Sequence, residues 1–569
     1  MKTGMRKVWW LLAACVMVAP GAGAQVIRGT VNSEGTPVPI PGAVVTLLDA
    51  SGGFAGRRTL TDRTGSYALR APGPGSWIIE VRAIGFSPYL SRARAVASGE
   101  TIIASPTLRR VATRLASLRI EVSSPCRRAT DLDPVASALW DDVWAALASA
   151  EVAREQRMVR AEVFVYTRDV DVLSGRVMSE QRGIASVLDE RPFRTAPAAD
   201  LIQNGFWRRS LLGNVDFYGI SAGTLISDEF LGSHCFSLVR QDSGRTARVG
   251  LSFRPVRSRP ADVQGVLWVH PESRELRELE FTYTGLQLRG PAAGGSLSFS
   301  RLASGLLVDD QWTLQHPFET PRPPGEQRTG PAPAATHSDV RPGTTLRLAG
   351  GFVLGDTARV RRFSLLLGRV ERGGEPADAT TVEVLGGWQR TSTDSSGAFM
   401  VRDMLPGAYE VRLMRPGSDE EGGFVQHGRL ELAGGEVARV DLAVPDAGAI
   451  AADLCPGWRE DVGTAPLYGV LRDAASGRPA ANYQVELQWT PAEDSTGARI
   501  GRSGAARVLS DWRGEFLACD VPSLGQVRFR TTARDAEWSD PVPAGRRLRV
   551  IEVMVDSSAT PRPPGAGQR

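Results

Sequence analysis

Histidines, carboxylates and one serine are spaced along this chain so that three kinds of chemistry can be sought in it. His316-Pro317-Phe318-Glu319 has the His-x-x-Glu form of a zinc-ligand pair, and His427 follows 108 residues after Glu319. A catalytic zinc needs its three protein ligands on one rigid platform with a fourth position open. A proline-rich stretch and much of a β-patterned segment separate these three. The sequence therefore predicts a strand-end histidine and a loop histidine, with no metal and no other cofactor. Gly219-Ile220-Ser221-Ala222-Gly223 matches the Gly-x-Ser-x-Gly elbow. That motif works when a strand enters, a helix leaves, and an acid and a histidine follow later in the chain. Asp242 and His270 could be nominated, but no βαβ alternation surrounds them, and a turn is the expectation. The third cluster, Ser227 to Phe236, gathers Asp228, Glu229 and His234 beside Cys235. Such groups could form an acid/base or metal site for a hydrolase using the 221–235 region. The competing reading has Cys235 bridged, Phe230 and Phe236 in the core, and the charges at the surface.

Aromatic side chains offer a different chemistry. Trp388, Trp458, Trp489, Trp512 and Trp538 lie in or beside the C-terminal third of the chain. Exposed tryptophans can stack on sugars, and Trp512 is the best exposed candidate. Trp140 and Trp144 sit on a helical pattern and could wall an apolar pocket.

These groups have to be held by something, and the clearest organisation in the sequence is a repeat. Thr61-Asp62-x-x-Gly65-x-Tyr67 recurs as Thr393-Asp394-x-x-Gly397-x-Phe399 and Ser510-Asp511-x-x-Gly514-x-Phe516. Each copy is preceded by a strand start containing Gly29, Gly368 or Gly469. Each is followed, 13 or 14 residues after the aspartate, by Gly75, Gly407 or Gly525 opening another β-like run. Asp-x-x-Gly is turn chemistry, since the carboxylate bonds nearby backbone N–H groups and glycine takes the positive φ that closes the hairpin. A repeat of this size is a whole small domain.

The order Gly29-Thr30-Val31, Pro41-Gly42, Asp62-x-x-Gly65-x-Tyr67, Pro74-Gly75-x-Trp77 resembles the carboxypeptidase regulatory-like domain, a transthyretin-like and Cna-B-like sandwich. The second copy resembles it through Gly368, Asp394, Gly397, Pro406-Gly407 and Tyr409. The third does so through Gly469, Asp511, Gly514 and Phe516, and departs where Leu524 replaces the proline before Gly525. The resemblance implies fold far more than function, because such sandwiches act as spacers, stabilising appendages and occasional carbohydrate binders.

The expected fold class is mainly β, with three Greek-key transthyretin-like β-sandwich modules at residues 25–122, 362–445 and 453–556. A central α+β domain at 125–360 separates the first from the second. It should combine a curved antiparallel sheet with one long helix. Asp133-Pro134 opens that helix, and Val135, Leu139, Val143 and Leu147 follow at helical spacing. Hairpin patterns such as Gly265 to Phe281 resemble the lipoprotein-carrier type of half-barrel, which implies an apolar cavity. Residues 320–343 read as a proline-rich flexible insertion and 557–569 as a disordered tail.

Residues 1–24 carry Lys2, Arg6 and Lys7, then the apolar run Val8 to Ala19 and the small residues Gly21 to Ala24, the pattern of a secretory signal peptide. Leu12-Ala13-Ala14-Cys15 also resembles a lipoprotein signal, which would place a lipid anchor at Cys15. No later segment is long enough to span a membrane. The chain has 67 basic and 63 acidic residues. Without the signal the balance is 64 against 63, so net charge gives no support for capture of nucleic acid or anionic lipid. Four cysteines then remain, which in an oxidising compartment favours disulfides. Three pairings are open, and domain membership favours Cys126 with Cys235 and Cys455 with Cys519. The expectation is a non-catalytic exported envelope protein, periplasmic, outer-membrane associated or extracellular. It would act as a scaffold or bind a ligand, with a hydrophobic ligand, a glycan or an envelope protein as partner.

Overall fold

Each of the three Asp-x-x-Gly turns closes in the same way. In the first, Asp62 Oδ1 accepts the N–H groups of Thr64 and Ser66 at 2.8 and 3.0 Å. Asp394 does the same for Ser396 and Ala398, and Asp511 for Arg513 and Glu515. Gly65, Gly397 and Gly514 stand at φ +72, +72 and +71. The hydroxyl just before each aspartate is also used identically, buried between two backbone groups. Thr61 Oγ1 donates to the Ile40 carbonyl at 2.6 Å and accepts from Ala43 N–H at 2.8 Å. Thr393 links Ala377 to Thr380, and Ser510 links Ala480 to Tyr483.

The repeated aromatic and the strand-opening glycine are cross-strand partners. Tyr67 faces Gly29, Phe399 faces Gly368 and Phe516 faces Gly469. In the third copy the ring lies so close over the glycine that an added Cβ would sit 2.0 Å from it. The motif is thus a packing unit joining two strands, with turn, hydroxyl tether and ring acting together.

The computed structural model describes residues 25–111, 126–158, 162–185, 194–209, 215–243, 246–257, 261–286, 292–302, 307–318, 345–353, 362–460, 463–493, 499–500, 503–523, 525–531 and 538–556. The signal segment with Cys15, the proline-rich insertion, Glu319 and the tail lie outside these residues. The protein is mainly β. In the first sandwich, Val26–Thr30 pairs antiparallel with Ser66–Arg70 and parallel with Thr101–Ile103. That sheet packs on one built from Phe54–Leu60, Val44–Asp49 and Gly75–Arg82. Ile27, Val45, Leu47, Leu69, Ile79 and Val81 fill the space between.

The central sheet has nine described strands, all antiparallel. Their order is Val177–Ala185, Val163–Asp171, Thr345–Val353, Leu307–Phe318, Gly294–Arg301, Leu276–Tyr283, Val263–Val269, Thr246–Pro255 and His234–Ser243. Register shifts at Asp169/Val170, Trp268/Val269 and Ser298/Phe299 mark bulges, which bend a sheet. Helix α1 (Pro134–Glu155) lies on one face, capped by Asp133, whose carboxylate accepts from Val135 and Ala136 N–H at 3.0 and 2.9 Å. Leu139, Val143 and Leu147 meet Leu251, Leu267, Leu279 and Leu297 of the sheet, and Val44 and Leu60 of the first sandwich join the same core. The helix is buried on most sides, with Asp142, Ser149 and Glu151 enclosed among its apolar residues, and the small side chains from Ala145 to Ala153 let its neighbours close in.

The second and third sandwiches also share a core. Tyr468, Val470, Leu548 and Val550 of the third pack with Leu366, Val411, Leu413 and Phe424 of the second. Gly417–Ser418 of the second sandwich pairs with Arg549–Val555 of the third, so one sheet crosses the boundary. Cys126 is bonded to Cys235 and Cys455 to Cys519.

Candidate functional site

The residues singled out for catalysis are not brought together. Asp228 and Glu229 occupy the first turn of the short helix Asp228–Ser233, exposed, with Ser227 as its cap. His234 is fully buried. Its ring stacks on Phe230 at 3.9 Å, and its Nδ1 lies 2.9 Å from Ser233 Oγ. Its Nε2 faces the Val263 carbonyl at 3.2 Å and Asp262 at 3.3 Å. The imidazole is therefore a core group holding the edge strand to its neighbours, while Phe230 and Phe236 lie in the core and Asp228 and Glu229 at the surface. Ser221 caps Ala222–Leu225, accepting from Thr224 N–H at 3.1 Å, with φ −89. Its backbone lies in the ordinary extended region, and the strand before it, Val215–Phe217, belongs to a two-stranded antiparallel hairpin. Asp242 lies on the edge strand His234–Ser243. His270 closes a turn through Ser273 N–H.

The zinc pattern also disperses. His316 stacks on Phe217 at 4.6 Å, and burial lowers its pKa. His427 bonds Glu515 at 3.0 Å in a different module. Among the described residues no group of three or more His, Cys, Asp or Glu could hold a metal ion.

Trp140, Trp144 and Trp512 are each engaged by neighbouring side chains. Trp140 rests on Phe236 at 4.9 Å, and Trp144 carries the Arg58 and Arg82 guanidiniums. Both rings are buried, which takes them away from the pocket wall expected of them. Trp512 is half-buried, 6.1 Å from Trp388 at an angle of 58°, with Arg176 and Arg513 over its ring. Two tilted rings clasped by guanidiniums do not make the flat platform a sugar stacks on.

What the fold concentrates instead is charge, buried where modules meet. Glu383 and Arg412 are direct cross-strand partners in the second sandwich. Arg412 reaches Glu383 at 2.5 Å and Glu515 of the third sandwich at 2.6 Å. Arg472 of the third sandwich grips both Glu383 oxygens at 2.8 and 2.5 Å and Glu552 at 2.5 Å. Arg412 and Arg472 are 0 and 1% exposed. Burial alone would raise the Glu383 pKa, but hydrogen bonds from Arg472 and the charges of Arg412 and Arg472 outweigh it and hold the carboxylate below its ordinary range. Glu515 follows the same logic. Burial pushes it up, while His427, Arg412 and Arg513 pull it down to about 2.

The chain of contacts continues into the central domain. Arg513 and Arg176 share Glu410 at 2.7 and 2.5 Å. Arg168, buried in the central sheet, donates to Glu180 at 2.5 Å, to the Pro406 carbonyl at 2.6 Å and to Tyr409 Oη at 2.5 Å. Gly386 of the second sandwich approaches the Val177 carbonyl so closely that a Cβ would stand 2.2 Å from it. On the other side, Asp142 of α1 accepts from Gly85 N–H of the first sandwich at 2.6 Å and pairs with Arg274 at 2.5 Å. Burial raises the Asp142 pKa to about 6 against the pull of Arg274.

These junctions were not foreseen from sequence. A signal existed in isolated charges inside apolar runs, Val382-Glu383-Val384 and Val411-Arg412-Leu413. In a lone sandwich such positions alternate outward and read as solvent-facing. The next module covers them.

The sandwich architecture and its turns define the class, and residues 26–109 match the family model of the carboxypeptidase regulatory-like domain. That match covers the first sandwich. No curated protein matches the chain. Among solved structures, the Bacillus anthracis TIE protein is similar at 11% identity and TM-score 0.15, covering 57% of this chain and 51% of that one. The chain thus spans about half the length of that protein. BcpA, the major pilin subunit of Bacillus cereus, is 7% identical with TM-score 0.14, covering 94% of this chain and 99% of its own. Shaft pilin SpaA of Lactobacillus rhamnosus GG is 10% identical with TM-score 0.12, covering 34% and 96%. TM-scores this low describe no shared overall fold.

Proposed function

We propose that this chain is an exported, non-catalytic scaffold that holds its central α+β domain in a fixed orientation between β-sandwich modules. The observation that carries the reading is the Glu383–Arg412–Glu515–Arg472 network. Four sealed charges, drawn from two modules, lose far more by separating than by staying together, because an unpaired buried charge is costly. The shared sheet and shared core between the second and third sandwiches support the same reading. So does the Arg168 cluster at the central junction. Two disulfides suit an oxidising compartment, as does the signal-like N-terminus. No described helix is long and apolar enough to cross a membrane.

Limited proteolysis of the exported protein tests this reading. A rigid scaffold resists cleavage around residues 445–453, between the second and third sandwiches, and Arg472→Met opens that site. Equal cleavage in wild type and variant would contradict it.

A further inference from the structure

A crevice of about 310 Å³ lies where the first sandwich meets α1 and the central sheet. Most of its lining residues are apolar. Ile40 and Pro41 come from the sandwich loop, Phe86 from the loop after Gly75–Arg82, Ala145 from α1, and Leu307 from the sheet. Ile40, Phe86, Ala145 and Leu307 are all buried, so the floor is well shielded from water. Two exposed arginines complete the lining, Arg110 and Arg301. Arg110 lies over the Phe86 ring at 5.1 Å, and Arg301 pairs with Glu275 at 2.6 Å. Ser149, one helical turn beyond Ala145 on the same face of α1, adds a hydroxyl to the wall.

The volume stands at the lower end of the roughly 300–1,000 Å³ typical of small-molecule sites, and domain seams are where such sites concentrate. An apolar floor with the exposed Arg110 guanidinium in its lining selects a compact amphipathic anion. Its tail is removed from water against Ile40, Phe86 and Leu307, and its head meets a cation that binds carboxylates in a bidentate fork. A neutral molecule of the same shape offers Arg110 no counter-charge, and a diacyl lipid is too large. We propose that this seam binds a medium-chain carboxylate, head toward Arg110 and tail toward Ala145.

The test is calorimetric titration of the mature chain with octanoate below its micelle concentration, with octanol as the neutral counterpart. Saturable one-to-one binding is expected, weaker by about tenfold in Arg110→Glu, where the exposed cation is reversed, and for octanol. Ala145→Phe fills the crevice and should abolish binding. Should that buried substitution unfold the domain, Arg110→Glu at the surface still decides. Absence of saturable binding, or octanoate binding unchanged in Arg110→Glu, or octanol binding as tightly as octanoate, would overturn the proposal.

Discussion

Glu383 of the second sandwich and Arg472 of the third meet as a two-pronged ion pair, 2.8 and 2.5 Å between their nitrogens and oxygens, with side chains 2 and 1% exposed. Each residue belongs to a different module, so the pair exists only while the two are docked. Breaking a buried pair from one side leaves the other charge stranded, at a cost of about 3–5 kcal/mol. Arg472→Met should therefore destabilise the unit by roughly that amount. A Glu383→Leu/Arg472→Met double variant should recover part of the loss. Urea denaturation of the four members of the cycle measures the coupling, and additive losses would show that the pair does not act as a unit.

The pH dependence has opposite signs at the two ends of the molecule. Glu515, at about 2 against an ordinary 4.5, contributes stability that is complete above pH 4.5 and is lost as pH falls toward 2. The amount is roughly 3 kcal/mol. Asp142, raised to about 6 from 3.8, behaves in reverse. Its protonation is favoured in the folded state, so its term grows more favourable as pH falls from above 6 to about 3.8. Denaturation midpoints between pH 7 and 4 should show this term in the wild type and lose it in Asp142→Asn. A profile identical in both proteins would refute it.

In the repeat, Gly469→Ala forces a methyl into the Phe516 ring and should destabilise the third sandwich by about 3 kcal/mol. Ser510→Ala strands the Ala480 carbonyl and Tyr483 N–H that its hydroxyl bridges at 2.8 and 3.0 Å, costing about 2 kcal/mol. Thermal melts check both. A Ser510→Thr variant retains the oxygen and should stay close to wild type.

The Cys455–Cys519 disulfide ties the start of the third sandwich, just after the helix Ala447–Leu454, to a strand 64 residues away. By the chain-entropy relation, reduction removes about 4 kcal/mol from the third sandwich. Because dithiothreitol also opens Cys126–Cys235 of the central domain, the check is a Cys455→Ser/Cys519→Ser variant, in which the transition of the joined second and third sandwiches should fall while that of the central domain holds.

The parts of this fold that could be read from the sequence are those set by local chemistry. Asp62, Asp394 and Asp511 announce their turns, Asp133-Pro134 announces α1, and the recurring aromatic announces a core position. Their forces act within a few residues or across one hairpin. The role of Thr61, Thr393 and Ser510 was available in the comparison of the copies, since each carries a hydroxyl before the aspartate. Glu383, Arg412 and Arg472 were not legible, because each satisfies the pattern of an outward-facing strand residue and is buried only by another module. His234 misled for the mirror-image reason, being polar by type yet enclosed by Phe230 and Phe253.

The distance between the central domain and the third sandwich tests rigid coupling most directly. Spin labels placed at the exposed Ile184 of the central sheet and Leu509 of the third sandwich report it by double electron–electron resonance. Coupling through Arg168, Glu410 and Arg472 predicts one narrow distance distribution, which broadens in Arg472→Met. A broad or multimodal distribution in the wild-type chain would mean that the modules are beads on a string, and would contradict the scaffold reading.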